Sequence, residues 1–237
     1  LDSSAGRIEE RSADVDAAFE RFRALQLAER VDDIELTDAK NDLRGLLEGL
    51  RAELNAYLAA QYGRRPSDTG EYDEWLETHL PFHWLVEFHE IMSGDGFDVI
   101  IGNPPFVEYA KVRDTYTVHG FETLPCNNLY AFVLERSLAL ARGHGRMGMI
   151  SPLSMACTGR MAPLRVVLDK HTLHLPSFDI RPNGLFEGVT QRLCFVFTGD
   201  GDGRETYTAG YRRFVVWSAS GLLLAMVLLL GIAWYLP

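Results

Sequence analysis

Gly96-Phe97-Asp98-Val99-Ile100-Ile101-Gly102-Asn103-Pro104-Pro105-Phe106-Val107-Glu108-Tyr109 (GFDVIIGNPPFVEY, residues 96–109) is the stretch on which the fold turns. Phe97 to Ile101 is a short, almost continuous apolar run ending at a glycine, the pattern of a strand buried on both faces of a parallel sheet. In an open α/β sheet, ligands collect at the carboxyl ends of the strands, where Asn103-Pro104-Pro105-Phe106 stands. Two consecutive prolines fix φ and remove two backbone donors, leaving rigid carbonyls that can only accept hydrogen bonds. Such a cluster of acceptors needs a donor, and an exocyclic amino group is one.

Downstream, the pattern alternates. Asn127 to Ala141 reads as a helix, with Leu129, Phe132, Val133, Arg136 and Leu140 at helical spacing. Met147 to Ile150 reads as a strand, 160–170 as a helix and Leu193 to Phe197 as a further strand. Alternation of this kind implies an α/β sheet with covered faces. Upstream, residues 12–30 place Val15, Ala18, Phe19, Phe22 and Leu25 on one helical face. A second helix over 37–62 repeats the stripe with Leu43, Leu47, Leu50, Leu54 and Tyr57 or Leu58. Together they predict an antiparallel helical hairpin. Gly63 to Gly70 is a breaker-rich linker, and Glu71 to Met92 reads as one or two helices. The predicted division is therefore 1–70 hairpin and linker, 71–213 α/β core and 214–237 tail.

The charge is unevenly spread. Residues 1–100 hold 10 Lys+Arg against 23 Asp+Glu, a net of -13, whereas 101–237 hold 13 against 10, a net of +3. Any phosphate-facing surface belongs to the second half. Arg113, Arg142, Arg146, Arg160, Arg165 and Arg192 are its candidates for phosphate contact, against the alternative that such scattered arginines are ordinary solvated surface. Cys126, Cys157 and Cys194 are widely spaced and form no Cys-x-x-Cys pair, which argues against a zinc site or a disulfide framework. Cys157 and Cys194, among apolar neighbours, are expected in the core. Phe214 to Pro237 carries no charge and is long enough to cross a hydrocarbon core of about 30 Å as a helix, with Arg212 and Arg213 before it to keep the main body on the cytoplasmic side.

With these residues in view, the sequence resembles the adenine-specific DNA amino-methyltransferases, whose motif is Asn or Asp, Pro, Pro, then Tyr or Phe. GFDVIIGNPPFVEY, preceded by PFHWLVEFHEIM, is similar to the methylase part of large type IIG restriction-modification enzymes. NLYAFVLERS (128–137), GRMGMISPLS (145–154) and RPNGLFEGVTQRL (181–193) follow in the order that family uses, over roughly 75–213. The resemblance implies a partial Rossmann-like sheet, the methyl donor S-adenosyl-L-methionine and double-stranded DNA with a flipped adenine as substrate. It also implies roles. The Asn103 side-chain oxygen and the Pro104 carbonyl accept the two amino hydrogens of adenine, Pro105 stiffens the loop, Phe106 stacks on the base, and Phe186 aligns with a second aromatic that clamps it. No metal is required.

Other signals are set aside. Gly143-His144-Gly145-Arg146-Met147-Gly148 fits Gly-x-Gly-x-x-Gly but follows a helix and precedes a strand, the reverse of a phosphate-cradling loop, and is read as a helix stop and turn. His83, Glu87, His89 and Glu90 do not form His-Glu-x-x-His and are given capping and core roles. Asp200-Gly201-Asp202-Gly203 reads as a hairpin turn. Glu108, Tyr109 and Lys111 either line the cleft or are ordinary loop residues.

The family's cofactor loop, an aromatic-x-Gly-x-Gly after its first strand, is not found upstream of Asn103. It is expected before Leu1 in a longer protein, as a recognition domain is expected after the core. The uncharged tail from Phe214 departs from the family and is read as a frameshift or truncation product that still inserts as a membrane tether if expressed. The leading expectation is thus a fragment of a cytoplasmic restriction-modification or phage-defence methyltransferase, inactive in isolation. The alternative is a catalytically incomplete DNA-binding or membrane-tethered remnant.

Overall fold

The computed structural model describes residues 2–28, 32–180, 185–186, 189–199 and 205–209. The chain divides into two compact units, Leu1–Gly94 and Asp95–Pro237.

The first unit is helical. Helix α1 spans Asp2–Gln26 and α2 spans Asp33–Gln61, the latter capped by the Asp32 carboxylate, which accepts from the Ile34 N–H at 2.9 Å. Arg7 pairs with Glu53 at 3.2 Å and Arg21 with Asp42 at 3.7 Å, so rising numbers on α1 meet falling numbers on α2 and the two run antiparallel. The predicted stripes supply the interior, with Val15, Leu43 and Leu50 buried and Ala18, Phe19, Phe22, Leu47 and Leu54 packed against them.

The boundary expected at Gly70 falls instead after Gly94. Helices α3 (Thr69–His79), α4 (Trp84–Glu87) and α5 (His89–Ser93) join the hairpin, three short helices where one or two were expected. The reason is packing. Val86 enters the same apolar cluster, His83 bonds Asn55 at 2.6 Å, Glu87 pairs with Arg51 at 3.0 Å and His89 with Asp16 at 2.8 Å. Glu90 pairs with Arg23 at 2.9 Å, so each of the four polar residues in this stretch is engaged by a hairpin side chain.

The second unit holds strand β1 (Phe97–Gly102), helix α6 (Leu129–Leu140), strand β2 (Ala141–Pro152), helices α7 (Ser154–Cys157) and α8 (Ala162–Leu168), and strands β3 (Thr172–Leu175), β4 (Ser177–Phe178), β5 (Leu193–Gly199) and β6 (Thr206–Thr208). Among the described residues the strand order is β1-β2-β5-β3-β6, with β4 paired to β5. β1 and β2 run parallel with α6 as their crossover, and β3 and β6 are also parallel. β5 is antiparallel to its neighbours, so the sheet is mixed and not the parallel one expected.

The strand buried on both faces is β5, not β1. Four consecutive residues from Leu193 to Val196 are buried, while Val99 and Ile101 on β1 are 48% and 46% exposed. β1 is the edge strand among the described residues, and a strand's burial is set by its neighbours and by the helices over it, not by its own composition. The core gathers Tyr130 and Leu134 of α6, Met147 and Met149 of β2, Leu164 and Leu168 of α8, and Cys194 and Val196 of β5.

The turn expected at Gly143 to Gly148 is absorbed into β2. Phe97 faces Ala141 but Val99 faces Arg146, so the extra residues bulge out of the ladder. Gly145 sits in that bulge, where a Cβ would stand 2.7 Å from the Phe97 carbonyl, so the glycine permits close backbone approach. Gly96, at φ +108°, turns the chain into β1 beneath the Leu140 carbonyl.

Asp200 to Gly203 and the apolar segment 214–237 lie outside the described residues. β5 and β6, which flank the former, pair with β3 and not with each other. Among the described residues no helix is long and apolar enough to cross a membrane.

Candidate functional site

The parallel pairing of β1 and β2 brings their carboxyl ends side by side, Gly102 opposite Met149. Asn103 leaves β1 exposed, and its side chain makes no hydrogen bond with a described residue. Pro104 is buried, Pro105 exposed and Phe106 half-buried. Phe106 meets Tyr130 edge-on, ring centres 6.2 Å apart at 89°. The chain beyond is tied to the start of α6: Leu129 N–H donates to the Val107 carbonyl at 2.9 Å, and Ala110 N–H to the Asn127 side chain at 3.0 Å. These bonds hold the motif loop against the helix that follows it. The end of β2 is held likewise, with Leu153 N–H donating to the Arg192 carbonyl at 2.8 Å.

Between these segments lies a cavity of about 680 Å³. Phe106 and Tyr130 form its aromatic side, and among the described residues Lys111, Arg160 and Arg192 are its cations against the single carboxylate of Glu108. Arg160 reaches Glu108 at 3.2 Å and Arg192 reaches Asp179 at 3.2 Å, whereas Lys111 has no ion pair among the described residues. Of the other arginines proposed for phosphate, Arg113 leans on Asp114, Arg142 pairs with Asp98 at 2.6 Å and Arg165 donates to the Met155 and Thr158 carbonyls. None of these, nor Arg146, lines the cavity.

The structure brings Phe106 to this cavity and sets Asn103, Pro104 and Pro105 just before it. Phe186 is half-buried and does not line it; Thr190, Gln191 and Arg192 do. Sequence reasoning missed Tyr130 and Asn128. Tyr130 is buried, its hydroxyl donates to the Met161 sulfur at 3.1 Å, and burial pushes its pKa up, which keeps it neutral. Asn128 is 8% exposed, lines the cavity and has a buried Oδ1 without a partner. Such an acceptor costs about 1–3 kcal/mol until a donor meets it. Both residues lie in the NLYAFVLERS segment, yet their period is that of any core helix.

Cys157, expected in the core, is exposed and lines the cavity, because its short helix α7 sits at the end of β2 and not over the sheet. Cys126 and Cys194 are buried. Burial pushes the Cys194 thiol from 9.0 up to about 12. In the unfolded chain it ionises at the lower value, so between the two the folded state binds the extra proton and stability falls as pH rises, by about 1.4 kcal/mol per unit. Urea denaturation at pH 8.5 and 10.5 is expected to show a loss about 2 kcal/mol larger in the wild type than in Cys194→Ala. Equal losses would mean that the thiol is not held neutral by burial.

Comparison with known proteins places this arrangement. A relative from Methanocaldococcus jannaschii, described as a putative type II restriction enzyme and methyltransferase, is 30% identical over 175 residues, 66% of this chain but 14% of that protein. The chain therefore spans about a seventh of that relative's length. Among solved structures, a putative class I S-adenosylmethionine-dependent methyltransferase from Listeria monocytogenes matches with 15% identity and a TM-score of 0.36, over 56% of this chain and 42% of that one. A nuclease-deletion mutant of the Type ISP restriction-modification enzyme LlaGI, solved with a DNA substrate mimic, matches with 16% identity and a TM-score of 0.38, over 54% and 15%. Both structural likenesses are distant. The family model for the Eco57I restriction-modification methylase matches residues 30–176, from just before α2 to the end of β3, and so takes in helices α2 to α5 together with the motif loop and most of the cavity. Matched over more than half of its length, the chain belongs to the Eco57I restriction-modification methylase family.

Proposed function

We propose that this chain is the base-holding part of a site-specific DNA adenine-N6 methyltransferase of a restriction-modification system, and that an adenine flipped out of duplex DNA enters the cavity beside Phe106. The observation that carries this reading is the placement of Asn103-Pro104-Pro105-Phe106 at the carboxyl end of β1, where its last residue, Phe106, lines a cavity whose described lining has an aromatic side and three cations. Asn103 offers an unengaged carboxamide oxygen, and Pro104 a carbonyl on a rigid backbone. Together they accept both amino hydrogens of the base. Phe106, braced by Tyr130, covers one face of the ring, and the cations balance the nucleotide's charge.

S-adenosylmethionine is the methyl donor this family membership suggests. The described lining of the cavity does not fit it: Lys111, Arg160 and Arg192 oppose its sulfonium and ammonium charges, and among the described residues Glu108 alone is of the right sign. The methyl donor is therefore assigned to residues other than those lining this cavity, whose own part in the reaction is to hold and orient the base.

The test is the donor requirement. A short single-stranded oligonucleotide with one central adenine is expected to bind the full chain at least about tenfold more tightly than the same strand with N6,N6-dimethyladenine, which has no amino hydrogen to give. Fluorescence anisotropy reads the ratio. Equal binding would remove the amino group from recognition and the adenine reading with it.

A further inference from the structure

Arg160 is loosely held for a guanidinium that lines the cavity. Both of its terminal nitrogens, Nη1 and Nη2, approach one and the same oxygen of Glu108, each at 3.2 Å, and the two side chains are 50% and 46% exposed. A guanidinium fork is shaped for two acceptor oxygens at about 2.7–2.9 Å, so a single shared oxygen at longer range leaves half of its bonding capacity unused. An ion pair this exposed contributes little to stability. Its backbone, by contrast, is fixed, because Arg160 sits in the turn Gly159–Met161 and Met161 is buried in the core. Glu108 is fixed as well, through its bridge to Asn128 and through Lys111, whose N–H donates to the Glu108 carbonyl at 3.0 Å. Lys111 brings a second cation to the same wall. The result is a well-placed, poorly satisfied guanidinium at the edge of an aromatic cavity.

We propose that Arg160, with Lys111 beside it, binds the phosphate of the nucleotide whose base occupies the cavity, and that Glu108 holds the guanidinium in place until that phosphate displaces it. The inference rests on the base-holding reading above. A phosphate presents two oxygens to the fork where Glu108 presents one, so the exchange gains a charge-assisted hydrogen bond and frees the carboxylate to water. Glu108 is then a competitor of the ligand, and removing its charge strengthens nucleotide binding, the opposite of what a structural or catalytic carboxylate would do.

Cys157 supplies the readout, since it lines the cavity while the other two thiols are buried. The rate at which N-ethylmaleimide alkylates Cys157 in the full chain is measured against 2′-deoxyadenosine, its 5′-monophosphate, thymidine 5′-monophosphate, inorganic phosphate and a short oligonucleotide with one adenine. In the wild type, deoxyadenosine monophosphate is expected to protect at a concentration about tenfold below that of the nucleoside. Arg160→Gln is expected to erase that difference, Arg160→Lys to narrow it, and Glu108→Gln to widen it several-fold, with protection by the nucleoside unchanged throughout. The oligonucleotide is expected to follow the monophosphate, which assigns the site to a backbone phosphate, and inorganic phosphate alone to protect only weakly. A nucleoside that protects as well as the nucleotide would leave the adenine reading standing and remove the phosphate site. Thymidine monophosphate protecting as well as the adenine nucleotide, in an Arg160-dependent way, would do the reverse. No protection by any probe overturns both.

Discussion

Replacing Asn103 by Ala is expected to lower methyl transfer to DNA by at least about a thousandfold, close to 4 kcal/mol of transition-state stabilisation, in any active enzyme that contains this chain. The expectation follows from what the residue lacks. Asn103 stands exposed at the carboxyl end of β1, and no described residue takes its side-chain hydrogen bonds. Its removal should therefore leave the fold unaltered and delete only an acceptor. Because the two acceptors bind the amino group whose nitrogen must become the nucleophile, the loss should appear in kcat and kcat/KM alike. Tritium transfer from labelled S-adenosylmethionine measures it, with donor affinity as the control. Activity within a few-fold of the wild type would take Asn103 out of the mechanism.

Tyr130→Ala should be the most damaging single change to the second unit, at about 3–5 kcal/mol. Tyr130 is 1% exposed and lies in the core cluster with Leu134, Met155, Met161 and Cys194. Its ring is also the wall against which Phe106 stands, so the cavity left behind opens directly under the base site. Tyr130→Phe keeps the ring and loses the hydroxyl's contacts with the Met161 sulfur and the Ser154 side chain, a loss of about 1 kcal/mol. Urea denaturation of the full chain measures both. A Tyr130→Ala cost below about 1 kcal/mol would show that α6 does not support the motif loop as described.

How much of this is legible in the sequence depends on whether the signal is local. The stripes of α1 and α2 each repeat over about three to four turns, long enough for periodicity to reveal the face that Val15, Leu43 and Leu50 bury. β3 and β4 have four and two residues, too few to show any alternation, and the sequence pattern does not disclose them. That the Gly143 to Gly148 string follows a helix is visible in the chain. That it bulges within β2 is not visible, because the register with β1 is a relation between strands. Cys157 and Cys194 have similar apolar neighbours in sequence, yet one is exposed in the cavity and the other buried in β5. The boundary after Gly94 is hidden for the same reason: the breaker-rich Gly63 to Gly70 looks like a linker, but His89 and Val86 return to the hairpin across it.

By itself the sequence determined the chemistry of the motif. Asparagine followed by two prolines and an aromatic ring is a rigid set of acceptors beside a stacking surface, a property of covalent structure and of a few neighbouring dihedrals. It also settled which half of the chain carries positive charge. Only the tertiary structure decided what surrounds the motif. The cavity's described lining comes from separate stretches, Phe106 to Lys111, Asn128 to Tyr130, Pro152 to Met161, and Ile180 with Thr190 to Arg192, and their meeting depends on β2 lying parallel to β1 and antiparallel to β5. Strand pairing is a choice among distant segments made by the burial of the whole core, and no window of sequence contains both partners. That is why Asn103 could be put forward as a candidate from the chain alone, while the opposition of Arg160 and Glu108, 52 residues apart, could not.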